Sequence, residues 1–205
     1  ARYGHIHRPG ETVKMSSSKG NVVTPKEALE IMPAEILRYF IVRSRPEKKI
    51  FFDSGQGLYN LIDEFAAAQS DEGHEFRDAY NFAVSGSKKH VISSIPFKHL
   101  VQVYQAAQGN TKEALEVLRR TGYSQQVDSE QDVIVSEFEF VSNWLKKNAP
   151  EEIKFEVQKE LPKEQLSGAQ KDFLAVLAKK IDEKKTQDGQ KMHELIYEAK
   201  DEAGI

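Results

Sequence analysis

From Pro96 onward the apolar residues recur every three or four positions, a spacing that strands cannot use and helices require. The clearest run covers residues 129–147. There Ile134, Phe138, Val141 and Leu145 stand four, three and four apart and so share one helix face. Pro150 ends it. An earlier helix opens at Pro96 and carries Leu100, Val101 and Tyr104. Asn110-Thr111 caps the next, with Ala114, Leu115 and Leu118, and Gly122 stops it. The alternating stretch from Ile153 to Pro162 reads as extended. Two closing helices then use Phe173, Leu174, Leu177 and Ile181, followed by Met192, Leu195, Ile196 and Ala199.

The first part of the chain is mixed. Glu11-Thr12-Val13 leads into a polar loop, Ser16 to Asn21. Thr24-Pro25-Lys26-Glu27 combines an N-cap threonine, a proline at the first helical position and a glutamate at capping-box spacing, starting a short helix that ends near Ile31. Pro33 opens another, with Ile36, Leu37, Phe40 and Ile41 at helical spacing. Ile50-Phe51-Phe52 has the β-branched and aromatic content of a strand. A longer helix after Ser54-Gly55 aligns Leu58, Leu61, Ile62 and Phe65. The order to about residue 78 is strand, helix, helix, strand, helix. Val84 to Lys89, small and charged, is the linker candidate. The expectation is a mainly α fold: a small α+β unit over 1–83, then an all-helical unit over 84–205.

Composition excludes several classes of function. The 205 residues contain no cysteine, which removes disulfide frameworks, cysteine nucleophiles and iron–sulfur ligation, and fits a reducing cytoplasm. No apolar run approaches the roughly 20 residues that span a bilayer. Net charge is −3, but residues 1–50 carry ten basic against five acidic side chains, while the remainder sums to −8. A polyanion would therefore meet the first quarter of the chain preferentially.

The segment Lys14-Met15-Ser16-Ser17-Ser18-Lys19-Gly20-Asn21 sits in that basic quarter. Two ammonium groups flank three hydroxyls, and Gly20 lets backbone N–H groups approach a ligand closely. Such a loop suits a polyphosphate. Hydrogen bonds to an ion are worth about 1.5–3 kcal/mol, so several aimed at charge that develops during reaction would raise a rate. His5 and His7, two apart on a strand, face one way and invite a metal reading, but no cysteine and only Glu11 stand nearby. Packing histidines are the better reading, and no metal site is expected.

The same octapeptide resembles the KMSKS signature of class I aminoacyl-tRNA synthetases. Val22 to Leu29, Pro33 to Phe40 and Phe52-Asp53-Ser54-Gly55 resemble, more narrowly, the class I lysyl-tRNA synthetases of archaea and some bacteria. The resemblance implies that residues 1–83 form the stem-contact fold and that 84–205, with Phe140 to Pro150 and the last helix, form a helical anticodon-binding cage. It implies ATP and Mg2+ as cofactors, tRNA(Lys) as partner, and lysine bound by a preceding domain. It also implies an ATP-facing loop made of Lys14, Met15, Ser16, Ser17, Ser18, Lys19, Gly20 and Asn21. Ser17 stands where the signature has its second lysine. Either Lys19 compensates, Lys14 carries more of the load, or the hydroxyls suffice; Lys19 is favoured, and Lys14 and Lys19 are the catalytic candidates.

A second signature, HIGH, is needed by the family and does not occur in this sequence; Gly4-His5-Ile6-His7 has similar letters in the wrong order. The chain alone is therefore expected to be inactive, as part of something longer. Arg38, Arg43 and Arg45 are candidates for RNA phosphates, with ion pairs to Glu35 and Glu47 as the alternative. Trp144, Lys146 and Lys147 are candidates in the helical half, Trp144 as a stacking platform or else as core. Another class I synthetase, or a catalytically silent tRNA-binding module, would share much of this pattern.

Overall fold

Local capping rules set the first helices. The computed structural model describes residues 5–10, 14–16, 22–45, 48–87, 91–157, 166–185 and 188–204. In α1 (Pro25–Ile31) the Thr24 hydroxyl accepts the Glu27 N–H at 3.2 Å, and the Glu27 carboxylate accepts the Thr24 N–H at 2.7 Å. Each satisfies a backbone donor that a helix start otherwise leaves open. Pro33 precedes α2 (Ala34–Val42), which buries Ile36, Tyr39 and Phe40. These two helices form the crossover between β1 (Ile6–His7) and β2 (Ile50–Phe51). The strands pair in parallel, Ile6 opposite Ile50 and His7 opposite Phe51, an arrangement that needs a long connection.

Glu11, Thr12 and Val13, read as leading into the polar loop, lie outside the described residues; the first strand of the expected order is β1. On its other side β1 meets Lys14 in an antiparallel bridge, and the Met15 N–H donates to the Ile6 carbonyl at 2.8 Å. After β2, Asp53 accepts the Gly55 and Gly57 N–H groups at 2.8 and 2.9 Å and starts α3 (Gly57–Ser70). A Cβ on Gly57 would lie 2.5 Å from that of Asp53, so this clamp admits only glycine there. The α3 face of Leu58, Leu61, Ile62 and Phe65 is buried as its spacing implies. A further short helix, α4 (Arg77–Ala83), packs on α2 and α3.

The rest is helical. Here α5 (Phe97–Ala106) leads to α6 (Thr111–Leu118), whose first turn is capped by Asn110 Oδ1 at 3.1 and 3.3 Å. Gly122 sits at φ 99° in a π-helical turn, Arg119–Tyr123, where any other residue is strained. It opens α7 (Ser124–Lys147), five residues before the expected start. The helix breaks at Glu130, and beyond that break Ile134, Phe138, Val141 and Trp144 line its buried face. Finally α8 (Gly168–Lys184) and α9 (Gly189–Ala203) pack on each other, burying Leu195 and Ala199.

One apolar core runs from Ala28 on α1 to Ala149 beyond α7. The Tyr59 ring stands edge-on to Trp144 at 5.0 Å and to Phe97 at 5.6 Å, joining α3, α5 and α7. The architecture is mainly α, with a small α+β unit followed by an all-helical region. No helix among the described residues is long and apolar enough to cross a membrane.

Candidate functional site

Backbone pairing with β1 ties down the start of the loop while the Lys14 side chain remains exposed. Met15 and Ser16 are half-buried beside it. Ser17, Ser18, Lys19, Gly20 and Asn21 lie outside the described residues. Val22 and Val23 resume the chain and run straight into the Thr24 cap, so α1 carries the loop's far end. A cleft of about 760 Å³ opens at the loop's far end, lined by Arg8, Val22 and Val23 and, from later in the chain, by Asp53, Ser54, Lys147 and Asn148. Glu27 and Glu30 also line it. The Thr24 backbone and hydroxyl hold the Glu27 carboxyl below its ordinary pKa, so it is ionised at neutral pH.

The cleft wall is held by the end of α7. Asn143 Nδ2 donates to the Glu30 carbonyl at 2.9 Å, and Lys147 pairs with the Glu30 carboxylate. Trp144 Nε1 donates to the Ser54 carbonyl at 2.8 Å, and Asn148 Nδ2 to the Ser54 hydroxyl at 3.0 Å. Trp144 is fully buried. As a platform for a base it is therefore corrected: both ring faces are in the core and its one donor is engaged.

Two of the arginines are also committed within the fold. Arg38 donates through Nε to the Ala83 carbonyl at 2.8 Å and through Nη2 to Ser87 Oγ at 3.1 Å, with Glu35 at 3.3 Å. Arg43 pairs with Glu64, which also accepts the Tyr39 hydroxyl at 2.8 Å, and its guanidinium lies over the Tyr39 and Phe40 rings. Arg45 and Lys146 are exposed. The structure thus brings Lys147 to the cleft and leaves Arg45 and Lys146 facing solvent elsewhere.

His5 is exposed, whereas His7 is buried with its ring 5.7 Å from that of Phe51. Among the described residues no group of three or more His, Asp or Glu side chains gathers to hold a metal ion.

A second cavity, of about 920 Å³, lies between the ends of α5 and α7 and the strip that follows. Tyr104, Ser142, Lys146, Lys154 and Phe155 line it. Tyr104 stacks on Phe138 at 5.4 Å, which fixes its ring, and Phe155 is 45% exposed with its N–H donated to Gln105 Oε1 at 2.9 Å. Sequence reading placed Tyr104 on a helix face and passed over Phe155. The signal available was Phe155 itself, an aromatic in an alternating, otherwise charged strip.

Residues 1–85 match the model of the class I tRNA synthetase (K) family. More narrowly, nearly the whole chain is similar to lysine–tRNA ligases. That of Methanosarcina acetivorans is 37% identical over 94% of this chain and 37% of its own length. That of Archaeoglobus fulgidus is 35% identical over 99% of the chain and 39% of its own length. That of Pyrococcus horikoshii is 25% identical over 99% and 41%. The chain spans about two fifths of the length of these relatives.

Proposed function

We propose that this chain is part of a class I lysine–tRNA ligase, a cytoplasmic enzyme that joins lysine to tRNA(Lys) at the expense of ATP. The observation that carries the reading is identity of 35–37% to lysine–tRNA ligases along 94–99% of the chain. The exposed Lys14 at the loop's start and the open cleft at its far end, lined by Val22 and Val23, support it, since an ATP-facing loop must reach its ligand.

In this reading Lys14 and Lys19 stabilise the negative charge that grows on departing pyrophosphate, where water is excluded and an ammonium group counts most. Met15, Ser16, Ser17, Ser18, Gly20 and Asn21 complete the loop. Mg2+, which would supply charge neutralisation on the phosphates, finds no ligand set among the described residues, and no step is routed through it. Lysine binds in a part of the enzyme that this chain does not cover. Residues 1–83 dock the inner side of the tRNA and 84–205 its anticodon arm. Arg45 meets phosphate. Lys146, with Tyr104 and Phe155 in the larger cavity, receives an unstacked nucleotide. Arg38, Arg43 and Lys147 serve through the fold.

Filter binding of the 205-residue chain to tRNA transcripts tests this. Transcripts with a lysine anticodon bind in preference, and changing the anticodon uridines removes the preference; equal binding of all tRNAs refutes it. In the whole ligase, replacing Lys14 and Lys19 by alanine lowers ATP–pyrophosphate exchange far more than tRNA affinity, and unchanged exchange refutes the loop's role.

A further inference from the structure

We propose that Asn143 and Lys147, at the end of α7, are positioning residues for the ATP-facing loop and act on it through α1. The inference rests on the ligase reading above, and concerns residues on the helical side of the molecule that no part of that reading uses for chemistry.

The loop has two anchors. Upstream, Met15 donates to the Ile6 carbonyl, which sets where Lys14 leaves β1. Downstream, Val22 and Val23 join the Thr24 capping box, so the loop's far end sits wherever α1 sits. Helix α1 has only seven residues and buries only Ala28 and Ile31. Such a short helix is held by what it touches. Its outward residue Glu30 is held twice by α7: the backbone carbonyl, in the last turn where helical partners run out, by Asn143, and the carboxylate by Lys147.

The holder is rigid. Toward its end α7 is rooted by Ile134, Phe138, Val141 and Trp144, each at most 1% exposed. The same end fastens Ser54 through Trp144 and Asn148. Both walls of the cleft beside the loop, α1 and the turn at Ser54, are therefore indexed to one helix end. A half-exposed ion pair and one hydrogen bond add little to overall stability, yet a small displacement of a charge-bearing loop is costly to a rate. That difference gives the proposal its signature.

In the whole ligase carrying this chain, Asn143→Asp exchanges the donor for an acceptor of the same shape, and Lys147→Glu repels Glu30. Each lowers kcat of lysine-dependent ATP–pyrophosphate exchange about tenfold. The KM for ATP, the Kd for tRNA and the urea midpoint stay within twofold of the parent. The charge swap Glu30→Lys with Lys147→Glu restores kcat to within threefold. In the 205-residue chain, Asn143→Asp speeds amide exchange over residues 24–32 and not over 58–68. An unchanged kcat, a kcat loss matched by equal losses of tRNA affinity and stability, or no rescue by the swap overturns the proposal. An unmutated enzyme without lysine-dependent exchange would instead sink the ligase reading, while the amide-exchange comparison still reports on the α7–α1 link.

Discussion

Raising the pH from about 4 to 8 is expected to destabilise this protein through Glu137. That side chain lies on the inner face of α7, 4% exposed, and accepts the Ser93 N–H at 3.0 Å. Burial pushes its pKa from an ordinary 4.5 up to about 7; the hydrogen bonds from Ser93 pull the other way, and the neighbouring charge of Glu130 adds to the rise. The folded state therefore holds this proton more tightly than the unfolded chain does. Its stabilising contribution is complete below about pH 4.5 and is lost as pH climbs through about 7. The gap corresponds to about 3 kcal/mol. Glu137→Gln cannot ionise, and its carbonyl still accepts from Ser93. Urea unfolding followed by the fluorescence of Trp144, the chain's one tryptophan, compares the two proteins at each pH. The stability difference moves toward the glutamine variant by about 3 kcal/mol across the window and then levels off. A difference that does not vary with pH would show that the carboxylate is ionised without cost where it lies.

Other perturbations separate fold from function. Trp144→Phe strands the Ser54 carbonyl and costs about 1–3 kcal/mol of stability, while Trp144→Ala costs about 3–5, both read by urea titration. Arg43→Lys keeps the charge but loses the guanidinium whose Nη1 meets both Glu64 oxygens and the planar contact with Tyr39 and Phe40. It lowers the melting temperature and leaves tRNA affinity unchanged, and the reverse outcome would return Arg43 to the RNA surface. Phe155→Ala leaves the melting temperature in place and weakens tRNA binding by about 1–3 kcal/mol if a base stacks there. Affinity for tRNA falls steeply as salt rises, and a flat response would mean that few phosphates are touched.

Elements with a local chemical cause were legible. Thr24-Pro25 with Glu27, Pro33, Asn110 and Gly122 each act within one turn of their own position, and each stands at the boundary its residue type implies. Helix α4 escaped because seven residues give barely two turns of periodicity. Strand β1 was legible only as a place in the order of elements, because two residues have no pattern of their own; its existence depends on Ile50 and Phe51, far along the chain. The candidate site divides the same way. The chemistry proposed for the loop of lysines, serines and glycine rests on eight consecutive letters. An arginine does not declare its partner. Arg38 reaches a carbonyl 45 residues away and Arg43 a carboxylate 21 away, and nothing in their own neighbourhoods distinguishes such brackets from open cations. Trp144 falls three residues after Val141 on the buried stripe, so its spacing already favoured the interior over a surface role.

The edge-on meeting of Tyr59 with Phe97 and Trp144 bears on how the molecule comes apart. Severing the backbone near Ser85 would not release two self-sufficient pieces, because each would be left with a raw aromatic wall that water wets at a large penalty. The α+β portion and α5 to α7 are therefore expected to melt as one, heat that loosens either taking the other with it.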